Sequence, residues 1–389
     1  MMKLIAETGY GRLIKYEQEL CGDKVELSVT DEETIGILAD GLGSGVKANI
    51  LATLTSSIIK TMLLGGATLD EVVETLIETL PICKERRVAY CTFTIVRIDK
   101  NGLASFVEYD NPDLIIIRNG EEVLLEKKEL LLHGKKIKES QLQLLPGDFC
   151  MAMSDGVTAA GPNNLVLSSW KRENIVTYLK NSQIEQKSVF SLKKEVLTEC
   201  DNRYLGKIGD DSTVFMCKMQ RTRKIHVMIG PPLEKKDDGK IVTAFMDTYG
   251  TRVICGGKTA QIVSRVLEKQ LTVLRNETFT QYPPMCFMKD IDLITEGIVT
   301  ISRAVEIMEQ IDVFTFKEYQ QMQSSEEGAQ RLVWILLNNG NTITFFLGNA
   351  QNPAHMQGKN IDFSHKIKKV ERLAELLTKE GKHVEIFRG

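Results

Sequence analysis

The sequence predicts an α+β fold of two antiparallel sheets with helices outside, followed by a separate α/β domain with a mostly parallel sheet. Two patterns carry this prediction. Over the first 220 residues, strand-like runs cluster before and after two helical stretches. Beyond residue 224, strands and helices alternate regularly, which points to a parallel sheet covered on both faces. A length of 389 residues fits two domains. The basic connector Arg221-Thr222-Arg223-Lys224 marks the boundary, giving domains 1–220 and 221–389.

In the first domain, Met1 to Tyr16 reads as an extended strand, and Cys21 to Thr30 alternates like a half-buried strand. Asp31-Glu32-Glu33 reads as a turn. Ile35 to Ala39 is an apolar run closing in Asp40 and a burst of glycines, after which Val46 to Leu64 carries helical spacing: strand, tight turn, helix. A second helix spans Thr68 to Leu80, with Leu69, Val72, Val73 and Leu76 on one face. Residues 89–99, 104–109 and 114–118 read as three strands of an antiparallel meander turned at Lys100-Asn101-Gly102 and Asn111-Pro112. Phe149 to Met153 is a further strand ending in Ser154-Asp155-Gly156. A helical region follows from Trp170 to Glu199, and then the acidic turn Asp210-Asp211 feeds a last strand.

Composition excludes several classes. With 43% hydrophobic and 26% charged residues, the chain matches ordinary globular proteins. A formal net charge of -3 gives no electrostatic reason to expect nucleic acid or an anionic membrane as the main partner. No apolar run reaches the roughly 18 residues that span a bilayer, and Met1 to Gly9 lacks a leader pattern, so the expectation is a cytoplasmic protein. The eight cysteines are scattered along the chain, mostly inside apolar runs, and read as reduced core residues rather than disulfides or zinc ligands.

The chemistry centres on aspartates. Asp40, Asp155 and Asp210 stand in similarly punctuated settings, and hard oxygen ligands without histidine or cysteine favour magnesium or manganese. Two such ions about 4 Å apart can bridge a water, lower its pKa and stabilise displacement at phosphorus. Phosphate hydrolysis is the chemistry this suggests, although three aspartates alone also suit ordinary strand-end and turn positions.

The motifs Ala39-Asp40-Gly41-Leu42-Gly43-Ser44-Gly45, Ser154-Asp155-Gly156-Val157-Thr158 and Gly209-Asp210-Asp211-Ser212-Thr213-Val214, with Gly22-Asp23 before them, resemble in order and spacing those of the PPM-type (type 2C) metal-dependent protein serine/threonine phosphatases. The resemblance is to the bacterial SpoIIE-like branch and covers about residues 1–220. It implies an α-β-β-α sandwich that acts in signalling, with a phosphorylated protein as substrate and two Mn2+ or Mg2+ ions. It also implies attack on phosphoserine or phosphothreonine by a hydroxide bridging the metals, with no covalent intermediate. Position by position, Asp40 resembles the aspartate bridging both metals and Gly41 the carbonyl ligand. Asp155 and Asp210 resemble the ligands of the other metal, and Asp23 the acidic residue supporting the second. Asp211 stands where many relatives have asparagine, and Asp110 precedes Asn111-Pro112 where a small residue is usual. Some relatives hold the phosphate with an arginine near the first acidic motif; between Arg12 and Asp23 this chain has none. The alternative function is a catalytically silent phosphoprotein-binding or small-ligand-sensing module.

Gly43-Ser44-Gly45-Val46-Lys47-Ala48 also fits a dinucleotide-binding turn, but two helical stretches follow where that fold needs a second strand. Lys47 followed by Ala48 fails the phosphate-loop pattern. In the second domain no motif names a chemistry. Its unusual residues follow strand ends: Gly230-Pro231-Pro232, Gly256-Gly257-Lys258-Thr259, Thr295-Glu296-Gly297 and Gly348-Asn349. Ligands of open parallel sheets bind at such ends, and a helix opening after Gly256 favours an anion. The expectation is a regulatory site for a small anionic ligand anchored by Gly256, Gly257, Lys258 and Thr259, with His355 as a lesser candidate. Trp334 reads as core, and 363–379 as an amphipathic helix.

Overall fold

The computed structural model describes residues 4–30, 32–79, 91–162, 169–232, 234–247, 249–274, 282–348 and 363–388. The chain divides into two compact units, Met1–Arg221 and Thr222–Gly389. Asp31, Leu80, Cys83, Ala89, Asn349 and His355 lie outside the described residues.

The first unit runs β1 (Leu4–Leu13), β2 (Asp23–Val29), β3 (Glu33–Gly41), α1 (Gly45–Leu64), α2 (Leu69–Thr79), β4 (Cys91–Asp99), β5 (Leu103–Tyr109), β6 (Ile115–Arg118), β7 (Glu121–Glu122), β8 (Lys128–Leu132), β9 (Lys135–Gln143), β10 (Phe149–Met153), α3 (Asp155–Thr158), α4 (Arg172–Asn181), α5 (Val189–Tyr204) and β11 (Ser212–Arg221). Its strands form two antiparallel sheets, ordered β1-β11-β10-β6-β7 and β2-β3-β4-β5-β9-β8.

Alternation along the strands explains the layers. Leu38, Val96 and Phe106 of one sheet meet Ile116, Cys150, Phe215 and Met219 of the other in a central core. Ile35, Ile37 and Ala39 point the opposite way, onto Ala52 and Ile59 of α1 and Val72 and Leu76 of α2. Because β3 is buried on both faces, it reads as a continuous apolar run. On the outer face of the other sheet, Met151 and Met216 pack with Trp170 of the segment before α4 and with Leu192 and Val196 of α5. The order is helices, sheet, sheet, helices.

The structure corrects the expected meander. β5 pairs with β4, but β6 pairs with β10 in the opposite sheet. The segment 110–114 therefore carries the chain between sheets, and the Leu114 N–H donates to Glu108 Oε1 at 2.6 Å on the way. Strands β8 and β9 form a hairpin that the sequence reading passed over. Its turn residues His133 (φ 48) and Gly134 (φ 79) have the left-handed backbone that two-residue hairpin turns require.

The second unit runs β12 (Lys224–Ile229), α6 (Asp238–Met246), β13 (Thr251–Cys255), α7 (Gly257–Leu267), β14 (Thr272–Val273), β15 (Cys286–Met288), β16 (Ile291–Thr295), α8 (Ile298–Glu309), α9 (Phe316–Gln321), α10 (Gly328–Asn338), β17 (Thr342–Leu347), α11 (Phe363–Lys379) and β18 (His383–Arg388). They form one mixed sheet, β14-β15-β16-β13-β12-β17-β18. The strands from β16 to β18 in that order pair in parallel, whereas β14 and β15 add an antiparallel edge.

Trp334 is half-buried rather than core, its ring 4.9 Å from that of Tyr319. Helix α11 buries Val370, Leu373 and Leu377. The described cysteines are free, yet the fold sets Cys150 of β10 directly opposite Cys217 of β11, a neighbourhood invisible in the linear sequence. No helix among the described residues is long and apolar enough to cross a membrane.

Candidate metal centre

Four aspartates from separate chain segments meet at one end of the sandwich. Pairing of β2 with β3 sets Asp23 opposite Asp40, and on its other side Asp40 faces Thr92 of β4. Asp155 opens α3 directly after β10, and Asp210 lies just before β11. They form a gradient of depth: Asp23 is 1% exposed, Asp40 half-buried, and Asp155 and Asp210 stand at the rim.

Local sequence builds this arrangement. Gly43 (φ 100) and Gly45 (φ 71) let the chain turn from β3 into α1 with backbone that other residues rarely adopt. Gly41 lies so close to α1 that an added Cβ would sit 2.2 Å from the Ala48 carbonyl oxygen. Asn49 of α1 donates to the Cys21 carbonyl at 2.8 Å, fixing the approach to Asp23. Across the site, the Thr213 N–H donates to Ser154 Oγ at 2.9 Å, and the Ser154 N–H to the Thr213 carbonyl at 2.9 Å. This stitches the Asp155 motif to the Asp210 motif. Gly156 is required there too, since a Cβ would lie 2.1 Å from the Asp211 carbonyl oxygen.

The electrostatics are those of crowded carboxylates. Burial first, then Asp23, Asp155 and Asp210, push the Asp40 carboxyl up to about 9. Burial likewise raises Asp23 to about 7, against the Ser154 and Thr213 hydroxyls that favour its charged form. Asp155 is raised by burial and by Asp210. No N–H or hydroxyl among the described residues reaches Asp23 Oδ2. Such a group is costly to bury unless a cation or donor meets it. The chemistry of the Asp23, Asp40, Asp155 and Asp210 carboxylates fits a hard divalent cation such as Mg2+ or Mn2+, to which the resemblance would add the Gly41 carbonyl. The neighbouring thiols add no soft ligand, because burial holds Cys21 and Cys91 protonated up to about 12. Among the described residues, no three acidic, histidine or cysteine side chains are drawn together at metal-ligand spacing.

Two residues that motif reading did not assign shape the site. Asp211 accepts the Lys15 N–H at 2.9 Å through Oδ1 and the Gly22 N–H at 2.7 Å through Oδ2. This clamps the loop 15–22 that leads into Asp23. Both oxygens are used as acceptors, which gives a physical reason for aspartate where many relatives have asparagine. Asp211→Asn is expected to leave one of these N–H groups facing an amide NH2, lowering stability by about 1–3 kcal/mol and weakening Mn2+ binding; paired urea melts and metal titrations check both. Lys15 is the second: its ammonium lies 3.4 Å from Asp210 Oδ1, a cation at the rim that spacing alone did not indicate.

In the second unit, Gly256 caps α7 at the end of β13 with φ 131, its N–H donating to the Thr295 carbonyl at 2.9 Å. Gly257 and Lys258 are exposed and Thr259 is buried.

Residues 30–220 match the family model described as stage II sporulation protein E (SpoIIE). No curated protein matches the chain. Among solved structures it is similar to the phosphatase domain of the cell fate determinant SpoIIE from Bacillus subtilis, at 18% identity over 57% of this chain and 95% of that one, with a TM-score of 0.45. It is also similar to RsbX in complex with magnesium, at 21% identity over 57% of this chain and 100% of that one, with a TM-score of 0.41. A third is the S. agalactiae serine/threonine phosphatase, at 17% identity over 56% and 100% respectively, with a TM-score of 0.41. The match begins after Asp23, so that residue's place in the site comes from strand register alone. Over residues 30–220, just under half of the chain, the similarity is thus to the SpoIIE family.

Proposed function

We propose that the first unit is a metal-dependent phosphatase that hydrolyses phosphoserine or phosphothreonine in a regulatory protein. The observation that carries this reading is the convergence of Asp23, Asp40, Asp155 and Asp210 in a region that matches the SpoIIE family, with a buried Asp23 oxygen that a cation would satisfy. When bound, two Mn2+ or Mg2+ ions supply a water of lowered pKa and neutralise charge on the phosphoryl oxygens. Asp40, central among the four, would serve both ions, with the Gly41 carbonyl on one, Asp155 and Asp210 on the other, and Asp23 as support beneath. The rim position of Asp155 and Asp210 leaves the outer side open to a phosphorylated side chain. Lys15 offers that phosphoryl group a positive charge once Asp210 turns to metal.

The test is hydrolysis of an aryl phosphate with Mn2+ by the wild-type chain and by Asp155→Asn. The variant is expected to lose more than about 10²-fold in kcat/KM, since even residues supporting metal ligands are worth 10- to 100-fold. Equal rates in the two proteins, or no turnover by a metal-loaded wild type, would instead favour a silent phosphoprotein-binding or ligand-sensing module.

A further inference from the structure

The second unit's parallel strands lie in the spatial order β16-β13-β12-β17-β18. The chain starts in the middle at β12, adds β13 and β16 on one side, then returns to place β17 and β18 on the other. The reversal falls between β12 and β17, which pair in parallel from Lys224↔Thr342 to Ile229↔Leu347. Helices α6 and α7 cover the face that carries Met228, Ile254, Ile294 and Phe346. The start of α10 packs on the other face, where Gly328 meets the Thr295 side chain, and α8 packs against both α10 and α11. The helix after β12 and the described helix after β17 thus lie on opposite faces. In open α/β sheets this arrangement opens a crevice beyond the carboxyl ends of the strands at the reversal, where ligands bind.

The residues at that point are specialised. Gly230 has φ 77, and a Cβ on it would lie 2.7 Å from Lys366 Nζ and 3.3 Å from the Gly348 carbonyl oxygen. A Cβ on Gly348 would lie 2.1 Å from the Pro231 carbonyl oxygen. The Gly348 N–H donates to the Ile229 carbonyl at 3.0 Å. Two glycines thereby let the strand ends close on each other and on Lys366, in the first turn of α11, whose ammonium donates to the Gly348 carbonyl at 2.6 Å. Burial draws this lysine down to about 8. A lysine kept partly desolvated at a strand-end crevice is a recurrent mark of ligand sites. The chain here also restricts the ligand: Pro231 and Pro232 lack N–H groups, so these two positions offer none of the amides that cradle a dinucleotide pyrophosphate. Among the described residues, the Lys366 ammonium is the cation set at this point, suited to one anionic head group.

We infer that the carboxyl ends of β12 and β17 bind a small ligand through a single carboxylate or phosphate group at the Lys366 ammonium, beside the Gly348 carbonyl that this ammonium already meets. The expected anchor thereby moves from Lys258, which follows β13 on the unreversed side of the sheet, to Lys366.

The full chain, stripped of metal with chelator so that the aspartate site cannot hold phosphate, is acetylated near pH 8 and lysine labelling is followed by peptide mass spectrometry. Inorganic phosphate or succinate is expected to slow labelling of Lys366 roughly threefold when present at twice its Kd, leaving Lys258 unaffected. Protection by phosphate alone or by succinate alone identifies which anion the site takes. In parallel, phosphate is expected to raise the Tm of the metal-free wild type and of Asp40→Asn, but not of Lys366→Met, with Lys366→Arg retaining the rise. No protection of Lys366 by either anion, a Lys366 that does not label at all, or equal protection of Lys258 overturns the inference, whatever the folding of the variants.

Discussion

Asp40→Asn is expected to abolish metal-dependent turnover while making the metal-free protein more stable. In the metal-free fold the Asp40 carboxyl holds its proton up to about 9, against 3.8 ordinarily, first through burial and then through Asp23, Asp155 and Asp210. The folded state therefore binds more protons than the unfolded chain between those values. The stability tied to that proton is fully present below about 4 and is lost as pH rises through about 9. Asparagine removes the carboxylate, so the fall in stability with rising pH flattens, and at neutral pH the variant should gain roughly 0.5–2 kcal/mol, the usual yield of relieving a strained functional site. Metal binding must displace the same protons, so Mn2+ affinity of the wild type should rise with pH across this range. Melting curves from pH 5 to pH 9, with and without Mn2+, check all three parts. A variant that is less stable without metal, or that keeps the metal-induced rise in Tm, would refute the role given to Asp40.

Gly41→Ala should damage both stability and activity although it adds one methyl group. The new Cβ would sit 2.2 Å from the Ala48 carbonyl oxygen, 2.8 Å from its carbon and 2.9 Å from its Cα. All three are helix backbone, which cannot rotate away as a side chain would, so α1 or the end of β3 has to shift. Overpacking of this kind costs about 1–3 kcal/mol. Displacing the Asp40-Gly41 backbone by about 1 Å is enough to lose roughly 10²-fold in rate. Gly239→Ala is the control: it lies in α6 with open space around its Cβ position, and it should stabilise by about 0.5–1 kcal/mol with no change in turnover. Urea melts and aryl phosphate kinetics on the two variants separate a general intolerance of alanine from the specific contact with α1.

Much of the candidate site was legible because its signals are local. An apolar run ending in Asp40 and a glycine burst, Ser154-Asp155-Gly156 after another apolar run, and Asp210-Asp211 before a last strand each declare a strand end within a few residues. The regular alternation after residue 224 likewise announced a parallel sheet. The meander was misread at Asn111-Pro112 because a turn has the same composition whether the chain folds back into its own sheet or crosses to the facing one.

The sequence by itself determined where strands stop, where helices start and which carboxylates stand at those stops, since backbone dihedral preferences and hydrophobic period act between near neighbours. Only the tertiary structure decided that Asp23 faces Asp40, that Asp211 clamps the loop carrying Lys15, and that Gly230, Gly348 and Lys366 meet at the reversal of the second sheet. Those contacts join residues from 17 to 196 positions apart. They are set by which strand pairs with which and by which helix covers which face, and a strand's own residues do not name its partner.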